Sequence, residues 1–113
     1  MIAKFKIFEQ TSFEIGDYVI MKPLEYNGLP QTILFNNFVT NNIGQIITFF
    51  ADHRHPGSDY IGVIYENSPK ELLRLGYFTP DHIRYFSGKD PIMFKSKNKE
   101  YCEVFIAANK YNI

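Results

Sequence analysis

Two runs of strand-forming residues with a short polar stretch between them constrain this chain most. Ile43 to Ala51 reads IGQIITFFA, Tyr60 to Glu66 reads YIGVIYE, and the Asp52–Asp59 stretch between them carries Pro56-Gly57. Ile, Val, Phe, Tyr and Thr suit a pleated, half-buried surface, and a Pro-Gly pair punctuates a hairpin loop. The chain is therefore expected to contain an antiparallel pair here. At 113 residues it reads as a single domain, 1–113, long enough to bury a core without a disulfide or a metal. Its aromatic content, 17%, comes from Phe and Tyr alone, which favours strands further. A bias toward Ile, Asn, Lys, Tyr and Phe is also what an AT-rich genome encodes.

Other segments extend the pattern. Ile2 to Phe8 alternates apolar residues with Lys4 and Lys6, the signature of a half-buried strand. Phe13 to Lys22 is extended again, with a turn or bulge at Gly16-Asp17 and a stop at Pro23. Leu24 to Asn42 reads as an insertion, punctuated by Asn27-Gly28, Pro30 and several asparagines. Its apolar pieces, Thr32–Phe35 and Phe38-Val39, suggest a short strand or an anchored loop. Ser68-Pro69-Lys70-Glu71 predicts a short helix with a capping box from Ser68 to Glu71 and a stop at Gly76. After one turn at Thr79–His82, strands are expected at Ile83–Phe86, Ile92–Lys95 and Tyr101–Ala108, the last two as a C-terminal hairpin.

Four short stretches together resemble the SH3-like small barrels of the Tudor and KOW group. They are Ile15-Gly16-Asp17-Tyr18-Val19, Gly44-Gln45-Ile46, Ile61-Gly62-Val63-Ile64-Tyr65 and Thr79-Pro80-Asp81-His82-Ile83-Arg84. The likeness covers about residues 13–87. It implies an all-β fold with one short helix: an SH3-like partly open β-barrel, carrying the 24–42 insertion and the added C-terminal hairpin. Tudor-type barrels hold methylated Lys or Arg in an aromatic cage by cation–π attraction. Carried over by position, Tyr60 would rim such a cage, Phe50 and Phe86 would be its partners, and Asn67 would match the polar residue after the strand. The competing reading places Phe50, Tyr65 and Phe86 in the core.

Chemistry-bearing clusters are sparse. Asp52-His53-Arg54-His55, with Asp59 beyond, is the one dense group of ligand-type residues. Two imidazoles and a carboxylate suit Zn²⁺, but Pro56-Gly57-Ser58 mark the segment as a loop tip where histidines are ordinarily solvated. His82 is the one further imidazole. No nucleophile elbow and no phosphate-cradling glycine loop occurs. Enzyme activity and a cofactor are not expected. Cys102 lies in an apolar run and reads as a packed thiol in a reducing, cytoplasmic setting. No signal pattern and no apolar run of membrane-spanning length is visible.

Twelve acids balance twelve bases, which disfavours a domain living on non-specific phosphate contacts. The sequence therefore points to a non-catalytic module that binds a protein partner. Its expected contacts are the 52–59 loop with Arg54 and His55, exposed tyrosines such as Tyr60, and the 24–42 insertion. The alternatives are a KOW-like nucleic-acid or ribonucleoprotein contact through Arg54, Arg84 and the Lys89–Lys99 run, and a phage or mobile-element protein that inhibits a host enzyme such as a defence nuclease.

Overall fold

A computed structural model of the chain describes residues 13–25, 28–50, 59–87 and 91–111. Among these residues it contains five strands and three helices. They follow the order β1 (Tyr18–Met21), α1 (Pro30–Asn41), β2 (Gly44–Phe50), β3 (Tyr60–Ile64), α2 (Lys70–Arg74), β4 (Ile83–Ser87), β5 (Ile92–Ser96) and α3 (Lys99–Tyr111). The strands form one sheet in the order β4-β3-β2-β1-β5, with every neighbouring pair antiparallel. The expected β2–β3 hairpin is at its centre. Phe50 pairs with Tyr60 and Gln45 with Ile64, and the register shifts between Ile46 and Thr48.

The expected barrel does not form. β4 and β5 are the two edges of the sheet and do not pair, so the fold is α+β with an open sheet. The reason lies in the 24–42 insertion, which holds a helix of 12 residues rather than a strand or loop. Pro30 suits its first turn, where an N–H would be unpartnered anyway. Thr32, Phe35 and Val39 then fall at helical spacing and are buried. Phe35 and Val39 join Val19, Met21, Ile46, Ile61, Val63 and Phe86 in one core cluster. A helix thus covers the face on which a barrel would have curled shut. Asn36 fixes its position: its Oδ1 accepts from Leu24 N–H at 2.8 Å and its Nδ2 donates to Leu24 C=O at 2.9 Å. At the other end the Asn41 and Asn42 amides each donate to a carbonyl one turn back, at 2.8 Å.

The C-terminal hairpin is also overturned, because Tyr101–Ala108 lies inside α3. Asn98 starts this helix: its Oδ1 accepts from Glu100 N–H at 2.9 Å, the geometry of a side-chain cap. Cys102 and Phe105, one turn apart, turn inward. Phe105 stacks on Phe94 of β5 with centroids 4.5 Å apart, and Cys102 is fully buried. Phe94 pairs with Ile20, which places both on the sheet face opposite Val19 and Met21. So α1 covers one face, and α3 covers the other face at the β1–β5 end.

The short helix forms where the sequence expected it, as α2, but without the capping box. Pro69 occupies the cap position with no side-chain bond, and Ser68 Oγ is buried without a partner. Gly76 ends the segment at φ +84°. Gly16 also has a positive φ, +101°, in a turn that Asp17 braces by accepting from Glu14 N–H at 2.9 Å. Lys97 ties that turn to the C-terminal part, bonding Asp17 at 3.1 Å and also Glu14. The strand expected at Ile2–Phe8 lies outside the described residues.

Gly16 and Gly44 matter for different reasons. A Cβ on Gly16 meets nothing within 4 Å, so Gly16→Ala should cost about 1–2 kcal/mol from its backbone angle alone. A Cβ on Gly44 would overlap Val63 Cγ1 and approach Tyr65 Cζ to 2.9 Å. Gly44→Ala should therefore cost about 1–3 kcal/mol by overpacking. In urea unfolding, a Gly44→Ala/Val63→Ala pair should recover part of its loss relative to the two single changes added, whereas Gly16→Ala should add independently to Val63→Ala.

Candidate functional site

The alternation of strand residues sorts the candidate side chains onto two faces. Tyr60 and Gly62 of β3 share a face with their partners Phe50, Thr48, Tyr85 and Ser87. Ile61 and Val63 share the opposite, core face with Phe86 and Arg84. Tyr60 and Phe86 therefore project from opposite sides of the sheet and do not rim one cage. Phe86 is core, 5% exposed.

On the outer face the structure brings Tyr60 and Phe50 together, their rings stacked at 5.4 Å, with Tyr85 edge-on to Tyr60 at 5.4 Å. All three remain exposed, Phe50 by 45%, Tyr60 by 38% and Tyr85 by 49%. Gly62 makes this arrangement possible. A Cβ there would stand 2.9 Å from Tyr85 Cε1 and 2.7 Å from Thr48 Cγ2, so the Tyr85 ring lies directly over the bare backbone. Tyr85 was not singled out from sequence. The signal was the alternation Ile83, Tyr85, Ser87 against Arg84, Phe86, which puts Tyr85 level with Gly62 beside Tyr60.

On the core face an aromatic box does exist, and the chain's own Arg84 fills it. Its guanidinium carbon lies 4.9 Å from the ring centre of Phe35, 5.6 Å from Tyr77 and 5.8 Å from Phe86. Nη1 donates to Tyr77 C=O at 3.2 Å, while Nε is buried without a partner. Burial pushes the guanidinium pKa below its ordinary value. Arg84 stays charged at neutral pH all the same, because an arginine starts so far above it. No carboxylate pairs with it among the described residues.

Asn67 sits apart from both groups. It lines a cleft of about 410 Å³ between the end of α1, the segment after β3 and one side of α3, with Phe38, Tyr65, Glu66, Lys99 and Glu103. Lys99 approaches Glu66 to 3.9 Å across this region. Tyr65 is 2% exposed, and its hydroxyl has no partner. Burial raises its phenol well above the usual tyrosine range, and the nearby Arg84 charge opposes this only in part.

Arg54 and His55, and with them the weak metal candidates Asp52 and His53, lie outside the described residues. Asp59 is described and stands beside Tyr60, exposed. Among the described residues no group of three or more His, Cys, Asp or Glu side chains gathers to hold a metal. His82 is committed to a turn at φ +68°, its N–H donating to Thr79 C=O at 2.8 Å. The Cys102 thiol is pushed up by burial, the opposite of an activated nucleophile. No family model, no curated protein and no solved structure matches the chain.

Three substitutions test this description. Arg84→Ala should lower stability by about 2 kcal/mol, through lost ring contacts and lost packing of its stem. Lys at the same position should recover only part, because an ammonium lacks the planar face. Tyr65→Phe removes a buried unpartnered hydroxyl and should be neutral or stabilising at pH 7 in urea unfolding. The folded state holds the Tyr65 proton more tightly than the unfolded chain does. Wild-type stability should therefore fall as pH rises through about 10 and beyond. Tyr65→Phe should lose less over the same range, so the gap between the two proteins should widen with pH.

Proposed function

We propose that this chain is a non-catalytic interaction module that binds a protein partner, with the outer-face platform of Phe50, Tyr60 and Tyr85 as its contact surface. The observation that carries this reading is the exposure of three aromatic rings, with Tyr60 packed between Phe50 and Tyr85, on the outer face of β2, β3 and β4, which neither long helix covers. Rings held by each other lose little freedom on binding, and tyrosine supplies apolar area together with a hydroxyl. Such residues are enriched where protein surfaces meet. The strand face around them, Thr48, Gly62 and Ser87, carries no charge, which suits a protein surface better than a phosphate backbone. A reducing, cytoplasmic setting belongs to the same reading, since Cys102 is a free buried thiol. No described helix is long and apolar enough to cross a membrane.

The nucleic-acid reading loses much of its cation supply. Arg84 is enclosed by rings, Lys97 is engaged by Glu14 and Asp17, and Lys99 lies near Glu66.

A comparative capture experiment tests the proposal. Tyr60→Thr combined with Tyr85→Thr keeps strand-forming residues while removing both rings. The wild-type protein should retain a protein from lysate that the folded double variant does not, and that retention should vary little with salt. Equal capture by both proteins, or retention of RNA or DNA that falls steeply with salt, would overturn it.

A further inference from the structure

The cleft that Asn67 lines is separate from the aromatic platform, at the opposite end of β3, and it holds a polar group with nothing to bond. Tyr65 follows β3 directly and lines the cleft. Its ring crosses to the neighbouring strand, because a Cβ on Gly44 would stand 2.9 Å from Cζ, the ring atom that carries the hydroxyl. The hydroxyl is thereby carried to the start of β2, where Asn42 and Ile43 also line the cleft. Phe38 packs on the same ring with centroids 5.3 Å apart. Tyr65 is 2% exposed, and its hydroxyl finds no partner. Burial pushes the phenol up, so at neutral pH it keeps its proton and can donate.

The charges around the cleft say what would fit there. Lys99, Glu103 and Lys110 recur at helical spacing and share the side of α3 that lines it. Lys99 faces Glu66 across the cleft at 3.9 Å. Glu103 and Lys110 are exposed, and neither has an ion-pair partner among the described residues. One anion and one cation are therefore left over, beside an apolar wall of Phe38, Ile43 and Ile106. A volume of about 410 Å³ lies within the range of small-ligand pockets. We infer that this cleft binds a free amino acid with an apolar side chain. Glu103 takes its ammonium, Lys110 and the Tyr65 hydroxyl take its carboxylate, and its side chain lies on Phe38 and Ile106.

Other occupants answer the lining less well. A molecule with a single charge of either sign leaves Glu103 or Lys110 unanswered. A multiply charged anion would meet the carboxylates of Glu66 and Glu103. One water occupies about 30 Å³ and would fill little of the space. The site goes beyond the interaction-module reading and does not depend on it, since Phe50, Tyr60 and Tyr85 take no part.

The test uses the full chain, labelled with ¹⁵N, and L-leucine, L-methionine and L-phenylalanine, each titrated alone. At least one should give saturable shifts centred on the Ile43, Asn67 and Ala107 amides. For an amino acid that binds, the analogues lacking its amine or its carboxylate should bind about tenfold more weakly, the worth of one charge-assisted contact. Glu103→Gln should weaken the amino acid by about the same factor and leave the amine-free analogue unchanged. Lys110→Gln should weaken it likewise and leave the carboxylate-free analogue unchanged. Both changes keep a good helix former at an exposed position of α3. Tyr65→Phe, which should unfold no more readily in urea, should bind the amino acid more weakly and the carboxylate-free analogue equally. Absence of saturable shifts at these amides with all three amino acids overturns the site. Equal binding by either analogue overturns the zwitterion class, and equal binding by Tyr65→Phe overturns the donor role of its hydroxyl.

Discussion

Phe35 is the contact on which the rest of the architecture depends. It is fully buried, it comes from the middle of α1, and its ring meets Tyr77 at 5.0 Å, Phe78 at 5.7 Å and Phe86 at 6.3 Å. One side chain thus joins α1, the segment after α2 and the edge strand β4. Arg84 completes the cluster from β4 by covering the same rings. A guanidinium is weakly hydrated for a cation and stacks well, so this position tolerates partial burial that would be costly for an ammonium. Removing α1 from that face would leave the core side of β3 and β4 open to water, and a four-residue β1 offers too little to compensate.

The open sheet follows from this same packing. A small barrel buries its interior by curling a sheet onto itself, whereas here a helix supplies the apolar surface that closure would otherwise provide. With Phe35 and Val39 seated over Val19, Ile46 and Val63, the two edges have no reason to meet. α3 then adds a second layer on the other face, where Phe105 lies over Phe94 and Cys102 is sealed. β1 is consequently buried on both sides, and Val19, Ile20 and Met21 are all at zero exposure. Such an unbroken apolar run marks a strand sandwiched between layers rather than one lining a barrel.

The strands were legible in the sequence and the two long helices were not, for physical reasons that can be named. β2 and β3 announce themselves through β-branched and aromatic residues on either side of Pro56-Gly57. α2 shows in the Ser68-Pro69 start and the Gly76 stop. α1, in contrast, carries Thr, Ile, Phe and Val together with four asparagines counting its C-terminal cap, all middling or poor helix formers. Its apolar residues are scattered enough that the periodicity is faint; Ile33 and Leu34 are exposed while Thr32 is buried. Tertiary packing through Phe35 and the Asn36–Leu24 clamp decides the helix, and neither is visible locally. α3 was obscured by YCEVFIAA, whose apolar run satisfies a strand pattern equally well until Asn98 is recognised as a cap. Of the candidate site residues, Tyr60 and Phe50 came from the barrel resemblance, and it is the β2–β3 pairing that sets them side by side. Arg84 and Phe86 were noticed as side chains of the right type, but their shared face, and so their enclosure against Phe35, depends on the helix that the sequence hid.

The division of labour across the sheet explains where exposed aromatic surface is concentrated. Burial on both faces fixes β1, and α1 fixes the core side of β3 and β4. The outer side of β2, β3 and β4 is under neither long helix, yet it is built from Phe50, Tyr60 and Tyr85 rather than from charged residues. An isolated exposed aromatic needs no explanation. Three that pack on one another, one of them laid over a glycine that leaves room for it, are a more specific arrangement. Gly62 weakens the strand as a strand, since it gives up both side-chain packing and backbone entropy. Thr79 meanwhile caps the β4 edge only as far as Ile83. Both features leave packed, exposed rings beside the outer edge of β4, and the core that α1 closes on the opposite face of the sheet supports them from behind.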